Sequence, residues 1–189
     1  MNSPCKRSIL TDKRLFSLEQ LRGTIRLDSF NCKIEEYNEY LFNESMKSQN
    51  DQMAITWLLR ERSSGAVAAY MSLIADSIKL TATEKELHSL AYPFKTVPAM
   101  KVAKLAVSAT FQEKYLGIGS LMIEMATEIA EACNKHYFAC RFITVDADIE
   151  HNETVLNFYL KNGFIPNEET ANKRLKTISM RRDILFRAK

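Results

Sequence analysis

Apolar and polar residues follow distinct rhythms along the chain. Residues 33–48 place Ile34, Tyr37, Tyr40, Leu41 and Met46 at mostly helical intervals, which predicts a helix. Residues 53–62 (MAITWLLRER) are rich in strand formers and stop at Ser63-Ser64-Gly65, a turn signal. A second strand-like run covers 66–78, so 53–78 reads as an antiparallel hairpin. Residues 82–91 are polar and predict a short helix. Behind Pro98, the apolar run from Met100 to Val107 predicts a buried strand. Gly117-Ile118-Gly119 then opens the most regular helical pattern, with Leu121, Met122, Met125, Ile129 and Ala132 on one face as far as Asn134. Residues 138–146 (FACRFITVD) alternate as a strand. Asn152 to Lys161 returns to helical spacing through Val155, Leu156 and Tyr159, and Asn162-Gly163 closes it as a C-terminal cap.

From 98 to 163 the order is strand, Gly-rich turn, helix, strand, helix. A strand–helix–strand unit of this kind forms a parallel pair with a right-handed crossover. With the antiparallel hairpin ahead of it, the fold class is α/β with a mixed sheet. No repeat, low-complexity tract or Pro/Gly-rich linker interrupts the chain, so a tail over 1–12 and one domain over 13–189 are expected. At 189 residues and 46% hydrophobic content the chain can bury its own core, which excludes disorder throughout.

No apolar run of signal-peptide length follows the basic pair Lys6-Arg7, and no stretch reaches the length of a membrane span. Cys5, Cys32, Cys133 and Cys140 lack C-x-x-C spacing, so reduced thiols, no metal site and a cytoplasmic location are expected.

Gly117 and Gly119 fall at a strand-to-helix junction. Backbone N–H groups at a helix start, with no side chains in the way, form an anion site that the helix dipole favours. A phosphate-bearing ligand fits it, and so does a tight turn with no ligand. The Gly-Lys-Ser/Thr ending of a Walker loop and the third glycine of a dinucleotide fingerprint are both absent.

Lys104-Leu105-Ala106-Val107, then Lys114 to Ser120 (KYLGIGS), then Asn152-x6-Tyr159 and Asn162-Gly163-Phe164 resemble the GNAT family of N-acetyltransferases. The resemblance implies a sheet of six or seven strands with splayed central parallel strands, flanked by about four helices. It implies acetyl-CoA as co-substrate, its pantetheine arm paired with the backbone of Leu105, Ala106 and Val107. Lys114, Tyr115, Leu116, Gly117, Ile118, Gly119 and Ser120 would form the pyrophosphate turn. Asn152 would face the coenzyme arm and Tyr159 the sulfur. Lys114 stands where the family usually has Gln or Arg. Phe30-x-Cys32, Tyr37, Tyr40-Leu41 and Val67-Ala68-Ala69-Tyr70 resemble a subgroup that includes toxins acetylating the amino group of aminoacyl-tRNA. Members of that subgroup often form homodimers.

N-acetylation needs a neutral amine, an oxyanion stabiliser and a proton for the departing thiolate. The phenol of Tyr159 is the expected general acid, since an ordinary phenol near pKa 10 lies close to a thiol near 8.5. The backbone N–H of Ala106 or Val107 would hold the thioester oxygen. Where many family members carry a Glu on the central strand, this chain reads Val102-Ala103-Lys104, without a carboxylate. His88, His136 and His151 have the chemistry of a base, and His151 has the best position, ahead of Asn152. Asp146 and Asp148 read as charges at the helix entry.

These residues support an acetyltransferase acting on a primary amine, with an aminoacyl-tRNA toxin as a second reading. A non-catalytic module binding CoA or a partner is a third. The net charge of +3 hides an uneven spread. Residues 1–26 hold six basic and two acidic residues, and 171–189 hold seven basic and one acidic; the 144 residues between carry −7. Basic ends suit solvated tails or an RNA-contacting face, and an acidic body suits a cationic amine.

Overall fold

The computed structural model describes residues 7–8, 13–91, 93, 95–151, 154–168 and 176–185. Nine strands are described, seven of them in one mixed sheet of order β2-β3-β4-β5-β7-β9-β8, as the α/β reading expects. The chain divides into two compact units, Met1–Ile74 with Ala103–Met125, and Ala75–Val102 with Ala126–Lys189.

In the first unit, β2 (Phe16–Gln20) pairs antiparallel with β3 (Ile55–Glu61), and β3 with β4 (Val67–Lys79). The expected hairpin is therefore present. Its turn needs Gly65, which sits at φ +71° where a side chain is strained, and Arg60 Nε donates to its carbonyl at 2.9 Å. Residues 67–73 of β4 are buried one after another, the mark of a strand covered on both faces. The helix expected over 33–48 comprises α1 (Glu35–Glu39), a π-helical turn (Tyr40–Glu44) and α2 (Ser45–Asn50). The π turn buries Leu41 in a core with Leu21, Phe30, Leu58, Val67, Tyr70 and Ala106. Buried Asn38 accepts from Cys32 N at 2.9 Å and donates to Cys32 O, which fixes the loop ahead of α1. Within the tail expected over 1–12, Arg7–Ser8 form β1, paired in parallel with β6 (Tyr115–Leu116).

In the second unit, α3 (Ala82–Leu87) is shorter than the helix expected over 82–91. A capping box between Thr81 and Glu84 starts it, and Ser89 at φ +52° lies beyond its end. Strand β5 (Thr96–Val107) begins earlier than expected and includes Pro98, whose carbonyl accepts from Arg141 N. The parallel register of β5 with β7 (Phe142–Asp148) covers only Ala99–Lys101 against Phe142–Thr144, although both strands run on past it. Along its whole length β7 pairs antiparallel with β9 (Thr177–Asp183), which also pairs with β8 (Ile165–Pro166).

Strand β7 starts four residues later than the expected 138–146. Asn134 bonds both backbone groups of Cys140 and so holds the preceding loop, while Tyr137 and Phe138 stay exposed. Burial, with Cys133 nearby, pushes the Cys140 thiol up to about 11, so it is an inert core group. Helix α5 runs Ile118–His136, two residues past its expected end, and α6 covers Val155–Lys161. Gly163, at φ +79°, follows α6 as the expected cap. Cys32, Cys133 and Cys140 are free thiols, and the described residues contain no group of three that could hold a metal ion.

Candidate active site

In the first unit, the end of β5 leads into the Gly turn. Ala106 is buried in the core cluster with Tyr70, while Leu105 and Val107 are half-buried, so this stretch is anchored by one face. Ser108 N donates to Ala68 O and Ala109 N to Asn31 O, which tie down the strand end. A helix that the pattern did not announce, α4 (Ala109–Lys114), fills the interval before the turn and buries Phe111. Tyr115 is a core residue, its ring edge-on to Phe16 at 5.5 Å and stacked with Phe111 at 6.2 Å. Leu116 is exposed.

Gly117 takes φ +90° and accepts at its carbonyl from Leu121 N at 2.9 Å, the bond that opens α5. The N–H groups of Ile118, Gly119 and Ser120 precede that bond and have no acceptor within the helix. Buried Ile118 anchors the turn from below. These amides stand at the head of a 19-residue helix, where the helix dipole is positive.

The Lys114 side chain is engaged elsewhere, with its Nζ 3.0 Å from Glu61 Oε1 and 5.1 Å from the Tyr115 ring centre. Its bond to Glu61 holds the ammonium above its usual pKa. Glu61, bonded first by Ser64 and then by Lys114, is held below the usual carboxylate range.

In the second unit, Tyr159 on α6 is 7% exposed, edge-on to Phe158 at 5.0 Å and to Phe164 at 5.3 Å. Burial pushes its phenol well above the ordinary value, and the charges of Asp148 and Asp146 push it further. Asp146 and Asp148 belong to β7 itself, opposite Ser179 and Thr177 on β9, which corrects their reading as helix-entry charges. Alternation along β7 puts Thr144, Asp146 and Asp148 on one face, and each has a partner. Thr144 Oγ1 donates to Asp76 Oδ2 at 2.5 Å, Lys101 Nζ lies 2.5 Å from Asp146 Oδ2, and His151 Nδ1 lies 2.8 Å from Asp148 Oδ2. The Lys101–Asp146 pair escaped the sequence reading, because its members are 45 positions apart with no spacing to link them.

Of the three histidines, His151 is thus bound to Asp148, and His136 ends α5 beside Tyr137. The side chain of His88 is buried, donating from Nδ1 to Asp183 at 2.8 Å and accepting at Nε2 from Arg181 Nε. Asn152 lies outside the described residues.

No family model and no curated protein matches this sequence. Solved structures do. AtaT in complex with acetyl-methionyl-tRNAfMet is 18% identical, covering 87% of this chain and 93% of that one, with a TM-score of 0.71. A mutant of KacT with tyrosine changed to phenylalanine is 16% identical over 87% of this chain and 94% of that one, also at 0.71. A similar tyrosine mutant of the toxin AtaT, bound to acetyl-CoA and the C-terminus of the antitoxin AtaR, is 18% identical over 88% and 93%, at 0.68. The chain has the fold of AtaT and KacT. The AtaT fold accounts for the mixed sheet. Among the described residues, no helix is long and apolar enough to cross a membrane.

Proposed function

We propose that this protein is an acetyl-CoA-dependent N-acetyltransferase, working as one domain over 13–189, that transfers the acetyl group to a primary amine by direct attack. The observation that carries this reading is the Gly117 turn, whose amides open α5 after β5, α4 and β6, in a fold that AtaT shares and that has been solved with acetyl-CoA. Backbone groups of Leu105, Ala106 and Val107 hold the pantetheine arm, and the amides of Lys114 to Ser120 hold the pyrophosphate. Asn152 faces the arm and Tyr159 faces the sulfur.

The amine nitrogen attacks the thioester carbon, and a backbone N–H of Ala106 or Val107 stabilises the oxyanion. The C–S bond then breaks, Tyr159 gives its proton to the thiolate, and the phenolate recovers a proton from the nitrogen. Burial and the charges of Asp148 and Asp146 hold the phenol protonated, so its proton is available when the thiolate forms.

The acceptor reading best supported is the amino group of aminoacyl-tRNA, because the AtaT structure holds acetyl-methionyl-tRNAfMet and resembles 87% of this chain. On this reading the protein is the toxin of a toxin–antitoxin pair, works in the cytoplasm and forms a homodimer. Expression in a bacterial host tests it. Growth arrest that Tyr159→Phe abolishes supports the toxin, and normal growth with an active enzyme leaves a small-amine acetyltransferase. Absence of CoA release with every amine offered leaves only a non-catalytic binding module.

A further inference from the structure

The polar face of β7 poses a question that the coenzyme site does not answer. Val145 and Ala147 on the other face are fully buried, as a central strand requires, yet Thr144, Asp146 and Asp148 line up with their polar groups on one side. Two of the three partners are a carboxylate for Thr144 and an imidazole for Asp148. The third differs, because Lys101 brings a primary ammonium to Asp146, the same chemical group that an acceptor amine presents at neutral pH.

The pair stands at the point where β5 and β7 separate, since Lys101 is the last residue of β5 in register with β7. Asp146 lies two residues further along β7, and its side chain is 40% exposed while that of Lys101 is 24% exposed. The carboxylate is therefore open to a ligand on one side, and its charge is felt at the phenol of Tyr159. A pair this accessible to water on the Asp146 side is screened and contributes little to stability, so a competing ammonium can displace the lysine at small cost.

We propose that Asp146 is the anchor for the ammonium group of the acceptor, and that Lys101 is a resident cation which the acceptor displaces. The inference rests on the acetyltransferase reading and adds a specificity element to it. A neutral nucleophile such as an alcohol gains nothing from Asp146, whereas an ammonium docks there and attacks once it has lost a proton to water. Asp148, with its charge shared with His151, and Asp76, bonded to Thr144, are the other carboxylates on this face; both already have donors.

Steady-state kinetics with acetyl-CoA and methionyl-tRNA, repeated with L-methioninamide, test the assignment. Asp146→Asn is expected to raise the acceptor KM about 10- to 100-fold, the loss of one charged hydrogen bond, with the acetyl-CoA KM unchanged. Lys101→Met is expected to lower the acceptor KM several-fold, because the carboxylate is then vacant. The second variant leaves Asp146 in place, so the assignment stays testable if Asp146→Asn folds poorly. An unchanged acceptor KM in folded Asp146→Asn, or a KM raised by Lys101→Met, overturns the anchor while turnover by the unmodified protein keeps the enzyme reading intact. If the unmodified protein binds acetyl-CoA but turns over neither acceptor, the enzyme reading fails and takes this inference with it.

Discussion

Lys114 Nζ lies 3.0 Å from Glu61 Oε1, so the cation three residues ahead of Gly117 is already paired with a carboxylate of β3. On the proposed reading its contribution to a bound diphosphate is thereby reduced, and the amides of Ile118, Gly119 and Ser120 are left to carry the binding. Lys114→Met is expected to weaken acetyl-CoA binding by less than about 5-fold, the value of a screened surface charge. Gly117→Asp is expected to weaken it far more. The change sets a carboxylate against the phosphates, and it forces a residue with a Cβ to φ +90°, which costs about 1–2 kcal/mol by itself. Calorimetric titration with acetyl-CoA separates the two. Unchanged affinity in Gly117→Asp shows that the pyrophosphate binds elsewhere.

Tyr159→Phe keeps the ring among Phe158 and Phe164 and removes only the hydroxyl. Its kcat is expected to fall by about 10²–10⁴ with acetyl-CoA affinity preserved, the usual worth of a positioned acid. Full turnover with intact coenzyme binding removes Tyr159 from the mechanism.

The pH profile follows from the direction of the Tyr159 shift. Burial and the two aspartates raise the phenol, so it remains protonated beyond the ordinary tyrosine value. As pH rises, kcat/KM is expected to climb while the acceptor amine loses its proton, then to hold level with no alkaline decline below about pH 10. A decline centred near pH 8 identifies a different, more acidic proton donor.

Acid stability depends on a buried network in the second unit. Glu84 caps α3, accepts from Glu168 N and pairs with Arg181, which also donates to Asn167 Oδ1 and His88. Asp183 accepts from His88 and, twice, from Arg141. Burial alone raises both carboxyls, but these donors outweigh it and hold both below their ordinary values. A depressed folded-state pKa means that the stabilisation is complete above the unfolded value, near pH 4, and is lost as pH falls through the folded one. The melting temperature is expected to drop steeply below about pH 4. Glu84→Gln, which leaves the Arg181 charge short of its partner, is expected to cost about 3–5 kcal/mol at pH 7 and to flatten that acid limb. Denaturant titrations at pH 7 and pH 3 measure both effects.

The same network explains which parts of the fold could be read from the chain. The hairpin and the β5–turn–α5 segment are legible because their buried positions are mostly apolar and uncharged, the exceptions being small hydroxyl residues such as Thr56 and Ser72, which bond each other. Strand β9 (TISMRRD) hides its period, since Arg181 and Asp183 are buried through mutual pairing with Glu84, His88 and Arg141. The sequence 109–114 has one buried apolar residue, Phe111, too little to show a helical stripe. The late start of β7 reflects Tyr137 and Phe138, aromatic residues that read as strand formers and lie exposed in the loop. Among the candidate residues, the Gly117 turn and Tyr159 were legible in the chain, the first from local spacing and the second from the family resemblance. Lys101 and Asp146 were not, because strand register alone brings them together.

The most direct test follows the acetyl group itself. Purified protein is incubated with acetyl-CoA labelled in the acetyl carbon and with methionyl-tRNA, and the label on the amino acid is counted against free thiol. One labelled acetyl group on the α-amine is expected for each thiol released, with both signals lost in Tyr159→Phe. Tight binding of acetyl-CoA with no thiol release, on methionyl-tRNA or on any other amine offered, would contradict the acetyltransferase reading.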